Sequence, residues 1–197
     1  MRCAVLHGVN KALPLAPITP PLQRPPWSGD ERQTMADNGL QRQGDARHVV
    51  TPRVALFLQR DERWLFIEGA AHKWWAGRYN GIGGSVEAGE SILDAAQREC
   101  EEETGLPAET LTLAAIVHVM AEPSVLLFCF RGTLAAGVLQ PCDEGAFHWL
   151  SEEELRDPSL PLMADLPFLL PSILSHQAGE APHHFAFDMT LPFEAAP

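Results

Sequence analysis

Residues 84–106 read GSVEAGESILDAAQRECEEETGL, and the fold turns on how this stretch is read. Ser91 with Asp94 three positions later forms an N-terminal cap, and Gly105 suits the left-handed stop, so a helix is predicted over Ser91 to Thr104. Ile92, Leu93, Ala96 and Cys100 share one stripe at helical spacing. The far end breaks local rules. Glu99, Glu101, Glu102 and Glu103 crowd the last turns, where the helix dipole prefers cations, and Glu99 repels both Glu102 and Glu103. Such violations concentrate where function requires them. At 100° per residue, Glu99, Glu102 and Glu103 fall within about one 100° arc beside the apolar stripe, while Glu101 points away. Three hard oxygen donors on one edge suit Mg²⁺, with Mn²⁺ as a substitute, and Arg98 can orient one of the carboxylates. The competing interpretation is a solvated acidic face.

Working outward, Gly81, Gly83, Gly84 and Gly89 let backbone come close to a phosphate. Before them, Thr51 to Gln59 and Trp64 to Ile67 flank a polar turn at Asp61-Glu62 and predict a hairpin. After the helix, strands are predicted at Leu111 to Met120, Val125 to Thr133 and Ala146 to Leu150. Ser151 with Glu154 then opens a short helix. A last helix is predicted over Met163 to Leu174, and a closing strand over His183 to Met189. Strands on both sides of a central helix imply an α/β sandwich with a mixed sheet. Residues 1–47, rich in proline from Pro14 to Pro26, read as a poorly ordered leader, with Met35 as an alternative start. The domain is predicted over 48–190, with a tail at 191–197.

The formal net charge of −12 opposes nucleic-acid polymers and anionic membranes as partners, unless metal ions bridge the two. No apolar run reaches the ~18–20 residues that span a bilayer, and no secretory h-region precedes Pro14, so the cytoplasm is the expected compartment. Cys3, Cys100, Cys129 and Cys142 form no C-x-x-C pair. Cys100 and Cys129 read as small buried hydrophobes rather than nucleophiles.

The stretch also reads G-x5-E-x7-R-E-x-x-E-E-x-G-L, with Gly84, Glu90, Arg98, Glu99, Glu102, Glu103, Gly105 and Leu106 in place. This resembles the Nudix box. At about 6–7% per fixed letter, even a given seven of these eight letters match by chance only about once in a million chains of this length. The resemblance implies an α/β/α sandwich over Val49 to Met189 and hydrolysis of a nucleoside diphosphate linked to another group. It implies metal ligation by Glu99, Glu102, Glu103 and the Gly84 carbonyl, with Glu90 and Arg98 bracing loop and helix. Glu99 is the first candidate for general base. Glu144, in CDEGAFHWL, is the second candidate, as base or as extra ligand. His118 and His148 are expected to be packed or surface residues, because this metal site takes oxygen.

Gly77 to Gly84, GRYNGIGG, is similar to a segment of the subfamily that removes oxidised purine nucleotides. That similarity implies Asn80, with Arg78 beside it, as substrate-binding, since a carboxamide suits a base edge. MADLPFLLPSIL resembles a further segment of the same subfamily, making Asp165 the base-recognising acid. Met163 stands where a stacking tryptophan is common, and Trp74, Trp75 or Phe168 could serve instead. The implied reaction cuts a (deoxy)nucleoside triphosphate, such as 8-oxo-dGTP, to monophosphate and pyrophosphate, by a monomer or homodimer. The alternatives are an ADP-ribose or ADP-sugar diphosphatase and a non-catalytic nucleotide-binding module.

Overall fold

The computed structural model describes residues 48–189. The expected leader, the alternative start at Met35 and the tail lie outside the described residues. Strand β1 (Val50–Arg60) and strand β2 (Arg63–Gly69) form the predicted hairpin, paired antiparallel from Leu58↔Leu65 to Arg60↔Arg63. Its two-residue turn holds Asp61 at φ 49° and Glu62 at φ 63°, the left-handed pair that matches the right-handed twist of the strands. A short strand β3 (Tyr79–Asn80) follows, then helix α1 (Ile92–Thr104), β4 (Ala108–Met120), β5 (Ser124–Leu134) and β6 (Gly145–Leu150). Helices α2 (Glu152–Leu155) and α3 (Leu166–Ser175) precede β7 (His183–Asp188). The strands run β3-β2-β1-β5-β4-β7, with β6 also on β2. β1/β5 and β4/β7 are parallel, the other pairs antiparallel, so the mixed sheet matches the expected α/β sandwich.

Side-chain alternation divides the interior into two cores. Leu56, Leu58, Leu65 and Ile67 pack with Ala95, Ala96 and Cys100 of α1. Phe57, Trp64 and Phe66 point the opposite way and pack with Leu166, Leu169 and Ile173 of α3. Each fully buried side chain of this size contributes about 1.5–3 kcal/mol. Cys100 and Cys129 are buried and free, and burial pushes their thiols up to about 11 and about 12, as the sequence implied for inert cysteines.

The caps at both short-range signals are present. Ser91 Oγ accepts from Asp94 N–H, Gly105 closes α1 at φ 73°, and Ser151 and Glu154 make a reciprocal box. The last helix begins later than the sequence predicts, at Leu166 with Asp165 as its cap. Residues before it stay extended because the Met163 N–H donates to the Tyr79 carbonyl and the Tyr79 N–H to the Pro161 carbonyl. Pro171 lies inside α3, which tolerates the one missing donor.

Candidate active site

The loop before α1 is set by close backbone contact with β1. Val54 N–H donates to the Gly84 carbonyl at 2.9 Å, and Leu56 and Ile82 exchange bonds of 2.7 and 3.2 Å. A Cβ on Gly83 would lie 2.2 Å from the Val54 carbonyl oxygen, so only glycine fits there. One on Gly84 would lie 2.3 Å from Glu99 Oε1, which means the Glu99 carboxylate rests directly against this glycine.

Arg98 organises the acidic end. Its Nε and Nη2 grip the Glu90 carboxylate at 3.1 and 2.8 Å, and Nη2 also donates to the Ser85 carbonyl. Nη1 donates to both Glu99 and Glu102 at 2.9 Å. Arg98 was expected to orient one carboxylate; it holds three. The Arg98 hydrogen bonds, followed by the Glu87 N–H, keep Glu90 below the usual carboxylate range. The three arc residues are not equivalent. The Glu99 side chain is 13% exposed and that of Glu102 59% exposed. Glu103 is half-buried, and burial, then repulsion from Glu99, pushes its carboxyl up to about 8.

Glu103 and Glu144 line a cavity of about 270 Å³ that also receives Asn80, Met163 and Asp165. Five of the residues singled out in four separate segments therefore converge. Glu144 sits just before β6, where its carbonyl accepts from Ala70 N–H and its carboxylate pairs with Lys73. The Asn80 Oδ1 accepts from Gly81 N–H at 2.9 Å, which leaves its NH₂ group for a ligand. Burial raises the Asp165 carboxyl above the usual range. Arg78 is not brought in: it is exposed and its side chain lies outside the cavity lining. Trp74, 85% exposed, and the half-buried Trp75 both border the cavity, whereas Phe168 packs toward Phe187 instead. His118 meets His48 at 2.8 Å and His148 meets Glu68 at 3.1 Å, and neither lines the cavity.

Two cations went unremarked in the sequence. Lys73 pairs with Glu144, and Arg53 of β1 lines the cavity. The only signal for Arg53 was a charge immediately before the apolar run Val54 to Leu58.

The donors present fit a hard divalent cation. The Gly84 carbonyl and the Glu99, Glu102 and Glu103 carboxylates are all oxygen, and a cation would offset the burial and the Glu99 repulsion that raise Glu103. Among the described residues no three such side chains form a ready cage. Arg98 Nη1 meanwhile balances Glu99 and Glu102.

Comparison with known proteins gives the same frame. The NAD-capped RNA hydrolase NudC of Photobacterium profundum is 29% identical over 122 residues, 62% of this chain and 41% of that protein. The oxidized purine nucleoside triphosphate hydrolase of Mus musculus is 58% identical over 36 residues, 18% of this chain and 23% of its own. The chain thus spans less than half the length of these curated relatives. Among solved structures, the E. coli ORF135 protein is similar at 30% identity and a TM-score of 0.55, covering 66% of this chain and 93% of that one. The mutator MutT protein from Bacillus halodurans shares the fold at 23% identity and a TM-score of 0.59, covering 72% and 92%. In the described residues no helix is long and apolar enough to cross a membrane. The family profile for the NUDIX domain matches residues 49–167, so this chain belongs to the NUDIX family.

Proposed function

We propose that this protein hydrolyses a phosphoanhydride bond in a purine (deoxy)nucleoside triphosphate, 8-oxo-dGTP among the candidates, releasing monophosphate and pyrophosphate. The observation that carries this is the sharing of one cavity by Asn80 and Asp165 with Glu103 and Glu144. A carboxamide and a carboxylic acid are matched to a purine edge, and the carboxylates to phosphoryl transfer to water.

Asn80 donates its NH₂ to an acceptor on the base, its oxygen being held by Gly81. Burial raises the Asp165 carboxyl above its usual range, and in its protonated form its O–H donates to a second acceptor. Met163 and Trp74 border the cavity and provide apolar contact for the ring. Gly84, Glu99, Glu102 and Glu103 would hold Mg²⁺, which when bound offsets the charge on the phosphoryl oxygens. Glu99 or Glu144 accepts the proton of the attacking water. Glu99 is the first choice, since it rests against Gly84 and Arg98 fixes its orientation.

The test is a Mg²⁺-dependent product assay on 8-oxo-dGTP, dGTP, dATP, ADP-ribose and NAD⁺, with Glu102→Gln as control. Pyrophosphate from a purine triphosphate, lost in the mutant, is the expected result. The longer similarity to a NAD-capped RNA hydrolase favours a second reading, in which the diphosphate links a nucleoside to a sugar or a second nucleoside. Turnover of ADP-ribose or NAD⁺ with none of the triphosphates would replace the first reading by that one. Nucleotide binding without any turnover would replace both by a binding module.

A further inference from the structure

The cations around the cavity divide sharply by what holds them. Arg98 is taken by Glu90, Glu99, Glu102 and the Ser85 carbonyl. Lys73 is taken by Glu144. Arg53 lines the cavity together with Glu103, Glu144 and Asp165, yet among the described residues its side chain has no ion pair, hydrogen bond or ring contact. In a chain with 26 acidic and 14 basic residues, a cation that lines one cavity with three carboxylates and pairs with none of them needs a reason.

Its place on β1 gives one. The neighbouring Val54 N–H is bonded to the Gly84 carbonyl, and Arg53 itself bridges to Ser85, so Arg53 stands where the loop leads into the α1 carboxylates. Two residues further, Ala55 lies beside Cys129 of β5, and both line the cavity. Asn80 and Asp165 line the same cavity. A ligand whose base meets Asn80 and whose diphosphate reaches Glu103 shares this cavity with Arg53. A guanidinium offers a phosphate a planar fork of N–H donors and never loses its charge.

We infer that Arg53 is a phosphate-binding residue, taking the phosphate attached to the nucleoside by direct hydrogen bonds that do not depend on a metal. The inference rests on the reading that the cavity takes a nucleotide. It also assigns a consequence of sign: Arg53 contributes to holding substrate and monophosphate product alike, so its loss raises KM more than it lowers kcat.

Calorimetric titration in EDTA, with the full chain and no divalent metal, tests it. Two pairs serve as probes: dGMP with deoxyguanosine, and AMP with adenosine. Arg53 is exposed, so Arg53→Gln is expected to melt where the wild type does, and that is measured first. The expected result is a loss of roughly tenfold or more in nucleotide affinity in Arg53→Gln, the scale of a hydrogen bond to a charged group, with nucleoside affinity unchanged. Arg53→Lys restores part of it, and added salt weakens the wild type more than Arg53→Gln. Equal nucleotide affinity in wild type and Arg53→Gln would overturn the inference while leaving the nucleotide cavity standing. If no nucleotide or nucleoside binds the wild type at all, the nucleotide reading falls and Arg53's role falls with it.

Discussion

Lys73 and Glu144, 71 residues apart in sequence, are joined in a part-buried ion pair beside the cavity. Their side chains are 25% and 37% exposed, so solvent screens much of the attraction. Lys73→Met is therefore expected to cost about 1 kcal/mol, which lowers Tm by about 2–4 °C in a chain of this size. The double variant Lys73→Met/Glu144→Gln should lose less than the two single losses together. Strictly additive melting shifts would show that the pair adds nothing to stability.

Gly83 and Gly84 are adjacent but predict opposite phenotypes. Alanine at Gly83 meets the Val54 backbone at 2.2 Å with φ at 146°, and neither partner can yield. A cost of about 1–3 kcal/mol is expected, read as a fall in Tm. Alanine at Gly84 meets only the end of the Glu99 side chain, which can swing aside. Its melting should change little while turnover drops steeply. Equal turnover in Gly84→Ala and wild type would remove Glu99 from the chemistry.

Asp165 sets a pH dependence whose sign follows from burial. Its folded pKa lies above the ordinary 3.8, so the native state holds the proton more tightly than the unfolded chain. The associated stability is complete below pH 3.8 and is lost as pH rises through the folded pKa. The O–H donor to the base disappears over the same rise. Substrate KM should thus increase with pH in the wild type and stay flat in Asp165→Asn, whose amide donates throughout. Parallel profiles for the two proteins would exclude a neutral Asp165 from recognition.

Mg²⁺ should stabilise the protein even without substrate. At one hundred times its Kd the ion adds about 2.7 kcal/mol, visible as a rise in Tm that EDTA reverses. Glu99→Gln and Glu103→Gln should each shrink that rise, and loss of a general base at Glu99 should cut kcat by about 10²–10⁴. A full Mg²⁺ response in Glu103→Gln would place the ion elsewhere.

What the sequence made legible was local. The α1 cap, its Gly105 stop and the Asp61-Glu62 turn are each encoded within a few residues, and all three stand as predicted. The Asp165 start of α3 was misjudged because a contact from Tyr79, far upstream on β3, holds Met163 extended. Helical geometry put Glu99, Glu102 and Glu103 on one arc but could not say that Gly84 would shelter Glu99 and leave Glu102 in solvent. Arg53 and Lys73 were invisible for the same reason. Their importance depends on β1 lying parallel to β5 and on Ala70 reaching Glu144, which no short window of sequence records. Arg78, placed by motif position alone, is exposed and outside the cavity lining.

The sheet that separates the two cores also insulates two kinds of inheritance. Phe57 and Leu169 belong to the layer that packs α3 beside Asp165, while Leu56 and Cys100 belong to the layer that anchors the acidic helix. Layers packed about 10 Å apart sit at the distance where mutational effects become additive. On the proposed function, changes at Leu169 would alter the base end with little effect on how α1 is anchored.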